Sequence, residues 1–264
     1  MPDLHVTLIQ SDISWEDPVK NLGHFGKLIE TIPTHTDLIV LPEMFNTGFS
    51  INPNKCAESV DGPAVDFLRE KSSANNCMIM ASVLTDEEGS YYNRLICMQP
   101  DGNYHQYDKR HLFRLSNEYK IMKRGREKII VRWKGWNILP LVCYDLRFPV
   151  WSRNTWKEGF YEYDILLYVA NWPGSRSSVW KSLLTARGIE NQCYVIGVNR
   201  IGKDGHGTSH SGNSMIVDPY GTILSVAEEE KPAILQYQLS LQKLNEYRET
   251  YPFAPDWDQF TIQL

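Results

Sequence analysis

The sequence predicts an α/β fold built on a mixed β-sheet or sheets, and three observations predict it. Short apolar, β-branched runs recur along the whole chain. Amphipathic helical stretches lie between several of them, and turn tetrapeptides join others as hairpins. Strands that alternate with helices and also pair through tight turns belong to mixed α/β architectures.

The runs begin with residues 6–9 and 38–41, followed by Met78-Ile79-Met80-Ala81-Ser82-Val83 and Arg94-Leu95-Ile96-Cys97-Met98. Later come residues 129–131, 138–142, 165–169 and 194–198. Runs of this length bounded by turn residues read as strands, and near-continuous apolarity indicates burial on both faces. Residues 18–31 place Leu22, Phe25, Leu28 and Ile29 at three- and four-residue steps, an apolar stripe on a polar helix. Asp61-Gly62-Pro63-Ala64 opens a second helix with proline in its first turn. Residues 177–191 make a third, with Trp180, Leu183, Leu184 and Ile189 expected inward. Gln99-Pro100-Asp101-Gly102 and Asp218-Pro219-Tyr220-Gly221 signal hairpins.

No repeat, low-complexity tract or linker divides the 264 residues. One domain over 1–264 is expected, with a core at about 4–239. The tail at about 240–264 is rich in aromatics and proline and is expected to pack on the domain or on a partner subunit. A domain of this length buries roughly 70–75% of its unfolded surface, and 42% apolar residues can fill that core.

Charge narrows the partners. Lys and Arg number 27 against 32 Asp and Glu, a net −5, so the basic field of a nucleic-acid binder is missing and a small-molecule ligand is expected. No run approaches the roughly 18–20 apolar residues that span a bilayer, so no membrane role is expected. Met1-Pro2-Asp3-Leu4-His5 lacks a signal-peptide start, and the five cysteines (56, 77, 97, 143, 193) form no C-x-x-C pair. These features set the expectation of a cytoplasmic protein with reduced thiols.

Three polar residues stand where apolar strands run out. They are Glu43 after Leu41-Pro42, Lys109 in Tyr107-Asp108-Lys109-Arg110-His111-Leu112-Phe113, and Cys143 in Val142-Cys143-Tyr144-Asp145-Leu146-Arg147-Phe148-Pro149. Ligand sites of open α/β sheets lie outside the carboxyl ends of strands, so these three can meet on one rim. A thiol is mostly protonated at neutral pH. A neighbouring Lys, or a helix opening at Asp145-Leu146-Arg147, is expected to lower its pKa. Glu43 can take the thiol proton and pass it to a leaving amine. Lys109 and the N–H after Cys143 can hold an oxyanion.

Each residue alone has a plainer reading. A Cys ending an apolar strand can be a small buried hydrophobe, Glu43 a solvated turn residue, and Lys109 an exposed basic corner. The three segments together resemble the nitrilase, or carbon–nitrogen hydrolase, superfamily. That family carries a Glu–Lys–Cys triad in a Leu-Pro-Glu strand end, a Lys followed by His-Leu-Phe, and Cys-Tyr-Asp-Leu-Arg-Phe-Pro. All three occur here in that order, with gaps of 66 and 34 residues.

The resemblance implies a four-layer α-β-β-α sandwich of two mixed sheets, a homodimer or larger oligomer, and amide hydrolysis through a cysteine thioester. It implies no metal and no organic cofactor. Glu118 matches a second glutamate that orients the family's lysine. Asp108-Lys109-Arg110-His111-Leu112-Phe113-Arg114 and Val169-Ala170-Asn171-Trp172-Pro173 look like the bacterial ω-amidase branch, whose substrates are short 2-oxo dicarboxylic monoamides. Their carboxylate needs a partner, for which Arg176 is the candidate. Phe45, Tyr144 and Trp172 are expected to wall the pocket. Arg147 is expected instead to pair with Asp145 or another carboxylate, and His111 to be a stacked supporting residue. Residues 205–210, with His206 and His210 in a Gly-rich stretch, are expected as a loop near the pocket or at a subunit contact.

Two rival readings stay open. One is a related amidase acting on deaminated glutathione, an N-carbamoyl amine or a nitrile. The other is a non-catalytic redox thiol protein on the same fold.

Overall fold

The computed structural model describes residues 3–263. In chain order, β1 (Leu4–Gln10) leads through α1 (Pro18–Glu30) to β2 (Leu38–Val40), and α2 (Pro63–Asn75) leads to β3 (Met78–Glu87). β4 (Ser90–Met98) and β5 (Tyr104–Asp108) follow as a meander. A second sheet then forms from β6 (Val131–Trp133), β7 (Trp136–Val142), β8 (Ile165–Ala170), β9 (Tyr194–Asn199), β10 (Met215–Val217) and β11 (Ile223–Val226), with α3 (Ser177–Asn191) between β8 and β9. β12 (Ala233–Leu239) returns to the first sheet beside β1, and α4 (Leu241–Thr250) follows it.

The first sheet runs β12-β1-β2-β3-β4-β5 and the second β11-β10-β9-β8-β7-β6. Both are mixed: β1, β2 and β3 are parallel to one another, as are β7, β8 and β9, and the outer strands run antiparallel. The expected four layers are therefore present.

Residue alternation explains the layers. Leu38 and Val40, Met78 and Met80, and Leu95 and Cys97 face the core shared with the second sheet. Their neighbours Ile39, Ile79, Ala81 and Ile96 face a separate layer under α1 and α2. Strands buried on both faces have no polar side to show, which is why their sequences read as unbroken apolar runs. α3 covers the second sheet through Trp180 and Leu184. Gly197 in β9 makes room for it, since a Cβ there would lie 2.4 Å from Leu184 Cδ1.

Helix ends follow their sequence signals. Asp17 accepts a hydrogen bond from the Lys20 N–H ahead of Pro18, and α2 ends at Asn76 in the left-handed region. Ile189 departs from expectation: it is half exposed on α3 and covers Gly221 in the turn beyond β10 instead of entering the core. The tail packs on its own chain. Arg248 donates to Asp164 at 2.7 Å, Leu244 is buried, and Trp257 lies 4.2 Å from the Arg153 guanidinium. Among the described residues no helix is long and apolar enough to cross a membrane.

Candidate active site

The carboxyl ends of the parallel strands converge as expected. Glu43 comes three residues after β2, Lys109 directly after β5, Cys143 directly after β7 and Asn171 directly after β8. Lys109 Nζ donates to Glu43 Oε1 at 2.9 Å and to Glu118 Oε1 at 3.1 Å. All three side chains are buried. The sequence reading of Glu118 as the residue that orients Lys109 thus has its geometry.

Two asparagines complete this cluster. Asn93 Nδ2 donates to Glu43 Oε1 at 2.8 Å and to Glu118 Oε1 at 3.4 Å. The Asn171 backbone N–H donates to Glu43 Oε2 at 2.8 Å, and its Nδ2 donates to the Glu43 carbonyl at 2.5 Å. Every carboxylate oxygen of Glu43 is therefore engaged and its rotamer fixed. Asn93 escaped sequence reasoning because one Asn within a strand carries no spacing signal. Asn171 stood inside a quoted motif, but its partner lies 128 residues away.

Cys143 opens a short 3₁₀ helix, Cys143–Arg147, with φ +43°. Left-handed backbone at a non-glycine residue costs on the order of 1–3 kcal/mol and persists only where neighbours enforce it. Asp145 enforces it. Its Oδ2 accepts from the Val142 N–H at 3.1 Å and the Tyr107 hydroxyl at 2.8 Å. Its Oδ1 accepts from the His111 N–H at 2.9 Å and from Nδ1 of the same residue at 2.8 Å. One buried carboxylate thus ties the Cys143 turn to the segment that carries Lys109. His111 stacks on Phe148 at 3.8 Å, the supporting role expected of it. Asp145 has no oxygen left for Arg147, and the expected pair does not form.

The electrostatics correct one expectation. Burial, and then the charge of Glu43, push the Cys143 thiol well above its ordinary value; Lys109 pulls the other way and does not prevail. Burial alone would lower Lys109, yet Glu118 and Glu43 together hold it above its ordinary value. Burial raises Glu118, opposed by Lys109. The resting arrangement is a protonated thiol beside a carboxylate able to receive its proton.

Glu43, Lys109, Cys143 and Asn171 line a cavity of about 470 Å³. Tyr144 and Trp172 wall it as expected, joined by Phe49 and Phe113. Arg176 and Arg147 both line it, the first 5.4 Å from the Phe113 ring and the second 5.0 Å from the Trp172 ring. Neither has a carboxylate partner among the described residues. The turn bearing His206 and His210 lines it too. Phe45 does not. Met44, at φ +47°, reverses the chain after Glu43, and Phe45 drops into the layer beneath α1 and α2, 5.6 Å from Phe25 and 5.8 Å from Phe67.

Comparison with known proteins identifies the family. The profile of the carbon-nitrogen hydrolase family matches residues 5–249. The omega-amidase YafV of Escherichia coli (strain K12) is 45% identical over 262 residues, covering 99% of this chain and 100% of that protein. The 2-oxoglutaramate amidase of Bacillus subtilis (strain 168) is 33% identical over 254 residues, covering 95% and 96%. The crystal structure of XC1258 from Xanthomonas campestris, a CN-hydrolase superfamily protein with an arsenic adduct in its active site, superposes with a TM-score of 0.97 at 41% identity over 100% of both chains. The chain belongs to the carbon–nitrogen hydrolase family.

Proposed function

We propose that this protein is an ω-amidase, hydrolysing the terminal amide of a short 2-oxo dicarboxylic monoamide such as 2-oxoglutaramate to the acid and ammonia. One observation carries the reading. The Glu43–Lys109–Cys143 cluster lies in the same cavity as two guanidiniums that have no acidic partner among the described residues. An amide carbon attacked at one end and a carboxylate held at the other matches that distribution. The named activities of the Escherichia coli and Bacillus subtilis relatives support it.

On this reading Cys143 Sγ attacks the amide carbon as Glu43 takes its proton. Lys109 and the N–H of Tyr144, in the first turn of the 3₁₀ helix, stabilise the oxyanion. Glu43 passes the proton to the departing ammonia, then activates the water that opens the thioester and restores the thiol. The raised thiol suits this sequence, because proton transfer accompanies attack and no standing thiolate is needed. Glu118 and Asn93 position Lys109 and Glu43. Arg176, with Arg147, holds the substrate carboxylate, and Tyr144 and Trp172 enclose its carbon chain. We place the enzyme in the cytoplasm, as one folded unit over 1–264 that assembles as a homodimer or larger oligomer.

Ammonia release from a panel of ω-amides tests the proposal. The expected order puts 2-oxoglutaramate ahead of glutamine by on the order of 10²-fold. The cavity gives a protonated α-amine two arginines as neighbours, while its Asp204 carboxylate already accepts from the His206 and Thr208 N–H groups at 2.9 Å, and an unpaired buried charge costs several kcal/mol. Comparable kcat/KM for the two compounds overturns the specificity.

A further inference from the structure

A second cavity, of about 590 Å³, opens on the far side of the segment that carries Lys109. One wall is Tyr92, Arg94 and Asp108 on β4 and β5, and the other is the connection through Lys123, Arg124 and Arg126. No residue lines both it and the amide cavity.

Arg94 is its built element. The side chain is 1% exposed. Nε donates to Asp108 Oδ1 at 2.6 Å, and Nη2 donates to Asp108 Oδ2 at 3.0 Å and Glu87 Oε2 at 2.8 Å. Nη1 is buried and meets no acceptor among the described residues. A buried donor on a charged group left unpaired costs more than the roughly 1–3 kcal/mol of a neutral one. An acceptor from outside the chain removes that cost.

The facing wall selects the acceptor's charge. Arg124 and Arg126 are exposed and have no acidic partner among the described residues. The Lys123 ammonium donates to the Ser90 hydroxyl at 2.6 Å and has no acidic partner among the described residues. Arg110 donates to the Gly125 carbonyl at 3.2 Å, behind them. Burial and repulsion from Arg124 and Arg126 hold Arg110 below its ordinary pKa, so these cations crowd one another. Glu87, Asp108 and Glu127 line the cavity too, but two of the three are spent on Arg94. A net positive concavity on a chain of net charge −5 is an anion site by its electrostatics.

We infer that this cleft binds a small oxyanion, carboxylate or phosphate, between Arg94 and the Arg124–Arg126 wall. The connection is held tightly to β5, because the Gly125 N–H donates to the Lys109 carbonyl at 3.0 Å and a Cβ at Gly125 would lie 2.0 Å from the Asp108 carbonyl oxygen. The cleft, lined by Asp108, and the amide cavity, lined by Lys109, therefore lie at successive residues of one segment.

Calorimetric titration at constant ionic strength tests the inference, with succinate and inorganic phosphate as probes on the full-length protein. At least one is expected to bind with Kd on the order of 1 mM or tighter. Arg124→Gln/Arg126→Gln, at two exposed positions, is expected to weaken it about tenfold or more. Binding of succinate alone or phosphate alone identifies which oxyanion the cleft takes. Absence of binding by both overturns the inference, as does binding undiminished in Arg124→Gln/Arg126→Gln. Equal thermal stabilisation by sodium chloride at matched ionic strength reduces the effect to screening, and overturns it too.

Discussion

Lys109 Nζ lies 2.9 Å from Glu43 Oε1, both groups being buried, and a second buried carboxylate stands 3.1 Å away on Glu118. One ammonium therefore serves two carboxylates in a site nearly free of solvent. Removing one partner of such a cluster leaves an uncompensated buried charge, which is far more disruptive than its net contribution suggests. The predictions below follow from that arrangement and from the cavity it faces.

Cys143→Ala is expected to abolish ammonia release while leaving the fold unchanged by circular dichroism, since it removes only a thiol. Alanine at Cys56, Cys77, Cys97 or Cys193, all buried away from the cavity, should retain most activity. A Cys143→Ala rate even a tenth of wild type refutes the thioester route.

Lys109→Met should lower kcat by about 10²–10³, the usual effect of losing an oxyanion donor. Glu118→Gln keeps an oxygen facing Lys109 but drops the charge, and a loss of about 10–100-fold is expected. Steady-state kinetics on both variants checks the ranking; a larger loss in Glu118→Gln contradicts the assigned roles.

Glu43→Gln separates two effects that usually move together. Turnover should fall by about 10²–10⁴ with loss of the general base. The charge of Glu43 also pushes the Cys143 thiol up, so its removal should lower the thiol pKa and speed iodoacetamide alkylation at a fixed neutral pH. Alkylation that slows along with turnover disproves the electrostatic account.

Arg176→Ala and Arg147→Ala should each raise KM for 2-oxoglutaramate by about 10–100-fold, equivalent to about 1.5–3 kcal/mol for a hydrogen bond to a charged group. KM for an uncharged aliphatic amide should hardly change. The variant with unchanged KM for the keto acid is not a carboxylate partner.

His210 supplies a pH dependence. Burial, and then the nearby Arg200, push it down to about 4 from 6.5. The unfolded chain thus binds a proton that the folded one refuses between those values. Stability should be full above pH 6.5 and fall as pH drops towards 4, by up to about 3 kcal/mol in all. Thermal unfolding against pH should show this acid limb in wild type and a flatter one in His210→Gln.

Sequence alone determined the central strands, because residues buried on both faces must be apolar throughout, whereas the more exposed 104–108, 223–226 and 233–239 carry no such run. It also determined three of the four labelled helices, through apolar stripes and a first-turn proline, and placed Glu43, Lys109 and Cys143 at strand ends where a rim was expected. Their joint identity as a cluster came from three motifs in one order. Tertiary structure decided the rest. Periodicity in β2 does not reach past Met44, so only the φ +47° turn shows that Glu43 faces the cavity and Phe45 the helix layer. The partners of Asp145 are Tyr107 and His111, from a distant segment, and their claim on its oxygens leaves Arg147 free to line the cavity. Asn93 and Asn171 join Glu43 across 50 and 128 residues, separations at which no local pattern carries information. The direction of the thiol's shift was likewise settled by packing: the sequence named Lys109 as its neighbour, but burial and a closer balance with Glu43 determine which charge prevails.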